Sequence, residues 1–249
     1  MHGLLALSVA ALILCSQGWA ADDKEQTDIA KRIDNAAGVL NEIMATPDKA
    51  IPNNVLSDAR CIVVIPSMVK IAVGFGGSHG KGVATCRTQT TWSAPAPVTV
   101  TGGSWGLQLG GQAIDLVMLV MNQKGMEALL SSKFKLGADA SAAAGPVGRD
   151  AAADTDWKMK AEVLSYSRAR GIFAGIDLNG SAITQDKDET AVLYGKYIPF
   201  PEILRGAVAA PQASHEFLAT LAKYAPNTPS RQGELKKSTP TTTASGGGK

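Results

Sequence analysis

The chain has 249 residues, with 24 Lys+Arg against 22 Asp+Glu, 45% hydrophobic residues and three cysteines. A charge balance this close to neutral carries no footprint for nucleic acid, and the apolar fraction suffices for one core of ordinary size. Beyond residue 20, no stretch of about 20 residues is apolar and free of both charge and glycine, so no helical membrane span is expected there.

Residues 4–15, LLALSVAALILC, form an uncharged apolar run, and Gly18-Trp19-Ala20 puts small residues at the two positions that a signal peptidase reads. The pattern predicts a signal peptide over residues 1–20, and therefore export. An acylated Cys15 is the second reading, against which stands the bulk of Leu14.

From Thr27 to Met44 the apolar residues Ile29, Ile33, Ala36, Ala37, Leu40, Ile43 and Met44 recur at helical spacing, with Asp28, Lys31, Arg32, Asn35 and Glu42 on the other face. This is an amphipathic helix. A short helix is expected from Pro52 to Ala59, with Pro52 in its first turn. After Arg60 the period changes. CIVVIP is a β-branched run, and VKIAVGFGGSHGKGVATCR continues as apolar pieces punctuated by glycine. PVTVTGG, WGLQLGG and QAIDLVMLVMN have strand composition, and NQKGMEALLSS reads as a short helix. The alternating small residues of FKLGADASAAAGPVG suit a strand packed closely on a neighbour. VLSYSRA, GIFAGIDL and NGSAITQ are further strands, with Asn179-Gly180 as a hairpin turn signal.

Helices are expected from Asp188 to about Tyr197, from Pro201 to Ala207 and from Pro211 to Tyr224. From Pro226 a Pro/Ser/Thr/Gly stretch offers little apolar surface against its ordering entropy, so residues 226–249 read as a disordered tail. The whole is an α+β domain over residues 21–225. Its expected architecture is a strongly curved or barrel-like antiparallel sheet with helices at the N- and C-terminal ends.

GGSHGKGV (76–83), WSAP (92–95), GGSWGLQLGGQAIDLVMLVMN (102–122), LLSSKFKLGADASAAAGPVGRD (129–150) and LSYSRARGIFAGIDLNGS (164–181) resemble the SYLF domain family. The resemblance runs from about Ile33 to Leu204. It implies a phospholipid-binding domain; in eukaryotic members it goes with phosphoinositide recognition, a membrane-engaging N-terminal helix and, in some, actin binding. Together with the signal segment it implies an exported bacterial member, in the periplasm or at the outer-membrane periphery. The family has no agreed catalytic motif to transfer.

The residues themselves argue against an enzyme. GFGGSHGKG fails the phosphate-loop spacing at Phe75 and Gly82, and GGSWGLQLGG is not a dinucleotide fingerprint. Glycines for turns and close sheet packing explain both. His79 and His215 have no second His or Cys at ligand spacing, so neither a metal nor a cofactor is expected. Ser78 and His79, adjacent in a strand, point to opposite faces. Asp115, within AIDLVMLVM, calls for a hydrogen bond or an ion pair with a Lys or Arg of a neighbouring strand.

Candidate lipid contacts are Lys31 and Arg32 on the first helix with Lys70, Lys81 and Arg87 in or beside the first strand turns; Arg149, Arg168 and Arg170 lie further on. Converging on one rim they would bind anionic headgroups, each contributing ~1 kcal/mol near a charged surface. Scattered, they are ordinary solvated charge. Cys61 and Cys86 are an even pair in a compartment that permits disulfides, leaving two alternatives: a bridge, or two thiols buried in strands. Two partner classes follow: a phospholipid or membrane surface, and an envelope protein. The oligomeric state stays open.

Overall fold

In a computed structural model, the described residues are 3–46, 51–73, 75–105, 110–131, 133–147, 161–169, 172–175 and 178–226, with side chains from residue 24 onward and a few further gaps. Helix α1 spans Gly3–Met44, so the amphipathic segment continues a helix that begins well before Thr27. The side chains of the expected signal segment lie outside the described residues, as do residues 227–249 of the expected tail. Helix α2 is Asn53–Asp58, with Pro52 at its N-cap, where a missing N–H costs nothing.

Strands β1 (Cys61–Val73), β2 (Phe75–Cys86), β3 (Ala96–Trp105) and β4 (Gly110–Val120) come next. Helix α3 (Gln123–Leu130) starts at Asn122, whose side chain accepts from the Gly125 N–H. Then come β5 (Lys133–Lys135), β6 (Ala142–Ala144), β7 (Val163–Ala169), β8 (Ile172–Gly175) and β9 (Ala182–Gln185). The last described elements are α4 (Lys187–Tyr194), α5 (Phe200–Leu204), a 3₁₀ turn at Gln212–Ser214 and α6 (His215–Tyr224).

The strands form one sheet in the order β5-β9-β3-β2-β1-β4-β7-β6, with β8 also on β7. Among the described residues the strand pairings are antiparallel except β6 with β7, which run parallel. Laid flat, eight strands would hold β5 and β6 about 33 Å apart. Seven residue steps join Lys135 to Ala142, a reach of about 25 Å at most, so the sheet has to curl. It does so as an open half-barrel, the α+β architecture expected from the sequence.

Both faces of the central strands are buried. Cys61, Val63, Ile65, Leu116 and Met118 face the enclosed side, where Phe134, Phe200 and Leu204 pack on them. Ile62, Val64, Val83, Val117 and Leu119 face outward, under Ile29, Ile33, Ala36, Leu40 and Ile43 of α1 and Phe217 and Leu221 of α6. CIVVIP therefore reads as a continuous apolar run because neither of its faces meets water.

Two expectations are corrected. FKLGADASAAAGPVG is not one strand: Gly137 takes φ +88°, its N–H donates to the Ala140 carbonyl, and β5 and β6 go to opposite ends of the sheet. A left-handed residue breaks a strand, and glycine adopts it without steric cost. Asn179-Gly180 is a turn, with Gly180 at φ +85°, but it joins no hairpin, because β9 pairs with β3 and β5 while β8 pairs with β7. The turn signal reports a local reversal; the partner strand is a tertiary choice.

Candidate functional site

The site begins at an irregularity in the central strand. Pro66 has no N–H for the ladder, Ser67 sits at φ +55°, and the register of β1 shifts against both neighbours here. The Ser67 N–H donates to Asp115 Oδ1 at 3.0 Å. Asp115 Oδ2 accepts from Arg168 Nη2 at 2.7 Å and Nε at 3.1 Å, and Arg168 also pairs with Glu42 on α1. Of the two expected partners, a hydrogen bond or a cross-strand cation, Asp115 has both: the Ser67 N–H, and Arg168, its register partner on β7. On the far side of the bulge the outer face of the sheet is bare: Val69 is 44% exposed, and His79, Thr101 and Ala113 are exposed in the same cross-strand row.

Of the five candidate lipid contacts, the structure joins two. Arg32 Nη1 donates to Glu189 Oε2 at 2.6 Å, and Lys81 Nζ reaches Glu189 Oε1 at 3.0 Å and Asp186 Oδ2 at 2.8 Å. These ion pairs tie α1 and β2 to the start of α4. Burial would push the Asp186 carboxyl up, but hydrogen bonds from Lys81, the Glu189 N–H and Thr99 outweigh it and hold it below the usual carboxylate range. Lys81 answers in the opposite direction: burial would lower it, and the two carboxylates raise it.

Arg87 serves the fold in another place. Its Nε donates to the Ala59 carbonyl at 2.8 Å and its Nη1 to the Pro226 carbonyl at 2.8 Å, while the guanidinium lies 4.4 Å from the Trp92 ring centre. Beside it Cys61 and Cys86 are joined by a disulfide between directly opposed residues of β1 and β2. Lys31 is exposed on α1. Lys70 lies half-buried on β1. Arg149 and Arg170 lie outside the described residues.

Lys70 has a different setting from the rest. Burial alone lowers its pKa, and among the described residues no carboxylate stands within ion-pair distance of it. On β1 it shares the enclosed face with Met68, opposite Ser78 of β2 and Gln112 of β4. Ser78 is in turn opposite Gly102 of β3. A Cβ built on Gly102 would lie 2.7 Å from Ser78 Oγ and 2.6 Å from Ser181 Oγ, so two hydroxyls converge over one glycine. Sequence reasoning missed Ser181, which follows the Asn179-Gly180 turn about 80 residues from Gly102. No local pattern signals that approach.

The glycines of the GFGGSHGKG segment do structural work. A Cβ on Gly82 would fall 2.0 Å from the Val64 carbonyl oxygen, and one on Gly80 would meet Ile65 and Met68. They let β2 press against the bulged strand. His79 and His215 are both exposed, on β2 and α6, and among the described residues no group of three metal-ligating side chains forms.

Residues 101–224 match the family model Ysc84, described as "Las17-binding protein actin regulator". The chain is 30% identical to Protein YSC84 of Saccharomyces cerevisiae over 208 residues, which is 82% of this chain and 44% of that protein. It is 30% identical to SH3 domain-containing YSC84-like protein 1 of Xenopus laevis over 197 residues, 76% of this chain and 58% of that protein. With LAS seventeen-binding protein 3 of Saccharomyces cerevisiae it shares 31% identity over 194 residues, 76% of this chain and 42% of that protein. The chain thus spans about two-fifths to three-fifths of these relatives' length.

Proposed function

The chain belongs to the Ysc84 (SYLF) family, and on that premise we propose that it is an exported, non-enzymatic binding module that docks on anionic phospholipid surfaces. The observation that carries this reading is Lys70, a half-buried ammonium on β1 beyond the bulge, with no carboxylate against it among the described residues. Lys31 adds an exposed charge on α1. Arg32, Lys81 and Arg87 are committed to internal partners and contribute to the fold instead.

The apolar face of α1 is not the lipid contact in this reading. Ile29, Ile33, Leu40 and Ile43 are each at most 2% exposed, and burying four such side chains stabilises by roughly 6–12 kcal/mol. Lifting the helix off the sheet would forfeit that before any membrane contact was made. Electrostatic docking of the folded domain is the cheaper route.

Co-sedimentation with vesicles tests the proposal. Binding is expected to anionic and not to neutral vesicles, to fall as salt rises past the point where the screening length is about 8 Å, and to weaken in the Lys31→Gln/Lys70→Gln variant. Equal binding to neutral lipid, or none at low salt, refutes it. A second reading, a module for a protein partner in the cell envelope, draws on the family description and on relatives named for binding Las17. It leads if vesicle binding fails.

A further inference from the structure

We infer that Lys70, Ser78 and Ser181 form a binding cradle for a single phosphate group on the enclosed face of the sheet, beyond the β1 bulge. This deepens the lipid reading and also stands apart from it, because the same chemistry would take a headgroup phosphate or a free one.

Four observations carry the cradle. Lys70 and Ser78 are register partners on adjacent strands, so their side chains leave the same face from neighbouring positions. Ser78 and Ser181 hydroxyls both come within 2.7 Å of one point above Gly102, the next residue in that cross-strand row. The missing Cβ of Gly102 is therefore what lets the two hydroxyls close over that residue, side by side on one face. Ser78 Oγ donates only at 3.4 Å to the Gly102 carbonyl, a long contact that a better acceptor would displace. Ser181 is 6% exposed and Lys70 half-buried, so the charge and the hydroxyls act where water competes less.

A tetrahedral anion suits this set. It offers several acceptor oxygens to one ammonium and two hydroxyl donors, and it neutralises a cation that burial leaves unfavourably charged. Gln112, opposite Lys70 on β4 and exposed, stands at the rim as a further amide donor.

The test uses the full chain and inorganic phosphate, titrated at low salt and read by calorimetry or by ³¹P line broadening, with vesicles containing phosphatidic acid as a second arm. Lys70→Gln is expected to weaken phosphate binding about tenfold or more, the usual effect of removing a charged hydrogen-bond partner. Gly102→Ala should do the same with the Lys70 charge intact, because its methyl would push both serine hydroxyls out of place, while Lys223→Gln on α6 should change nothing. Circular dichroism checks that each variant folds; if Lys70→Gln does not, Gly102→Ala and Ser181→Ala carry the test. Phosphate binding that is absent in the parent chain, or indifferent to both Lys70 and Gly102, overturns the cradle. Phosphate binding without vesicle binding supports the cradle and sinks the lipid reading. Vesicle binding untouched by Gly102→Ala, with no phosphate binding, does the reverse.

Discussion

Cys61 shows how a single pairing is decided by register. The sequence left a bridge and two buried thiols equally open; the antiparallel register sets Cys61 opposite Cys86, and the bridge follows. The two cysteines are 25 residues apart, so replacing both with alanine should lower unfolding free energy by about 3 kcal/mol on loop-closure grounds. Urea melts of the parent and the double variant give that difference directly. Asp186 carries a second residue-level expectation. Because its folded pKa lies below the ordinary carboxylate value, its contribution is present above that value and lost as pH falls through the lowered one. Lys81, raised, contributes fully below the ordinary lysine value and loses that contribution as pH rises through its higher folded pKa. Asp186→Asn keeps a good N-cap for α4 while removing the charge. The variant should therefore be less stable than the parent at neutral pH and lose less on acidification, read as melting temperature between pH 2 and 6.

Among the elements, α1 is held by two kinds of contact. Its apolar face supplies the energy, and Arg32 and Glu42 set its register by reaching Glu189 of α4 and Arg168 of β7. Glu189→Gln weakens the charge pairing of Arg32 and Lys81 at once, and both partners are only partly exposed. A loss of roughly 1–2 kcal/mol is expected, with faster hydrogen exchange at the Ile33–Leu40 amides than at β1. Uniform acceleration across the molecule would mean that α1 does not open separately. The helical period of this segment was plain in the sequence, as was its apolar stripe. What that stripe packs on was not, because periodicity names a face and never its partner.

At the scale of the whole molecule, a nine-stranded sheet closes half-way round its own core, and the ends of the path are brought together by a short link between β5 and β6. Truncation just after Pro226 should leave the melting temperature within about 2 °C, since the described contacts end at the Pro226 carbonyl on Arg87. A larger fall would show that residues 227–249 contribute to the core. Mass spectrometry of protein recovered from a periplasmic fraction checks the proposed export at the other terminus: loss of about 20 residues is expected from the cleavage pattern, and a retained Met1 would refute it.

The sequence by itself determined the α+β class, the family, the positions of most helices and strands, and the need for a hydrogen-bond or ion-pair partner beside Asp115. Each of these depends on local pattern, on several motifs in order, or on the cost of burying one charge. Only the tertiary structure decided which basic residues are spent on ion pairs, that β9 leaves its chain neighbour for β3, and that Ser181 meets Ser78 over Gly102. Those are contacts between residues 80 to 160 positions apart. They depend on the curl and register of the sheet, which the long-range packing of both cores selects and no local window of the chain contains.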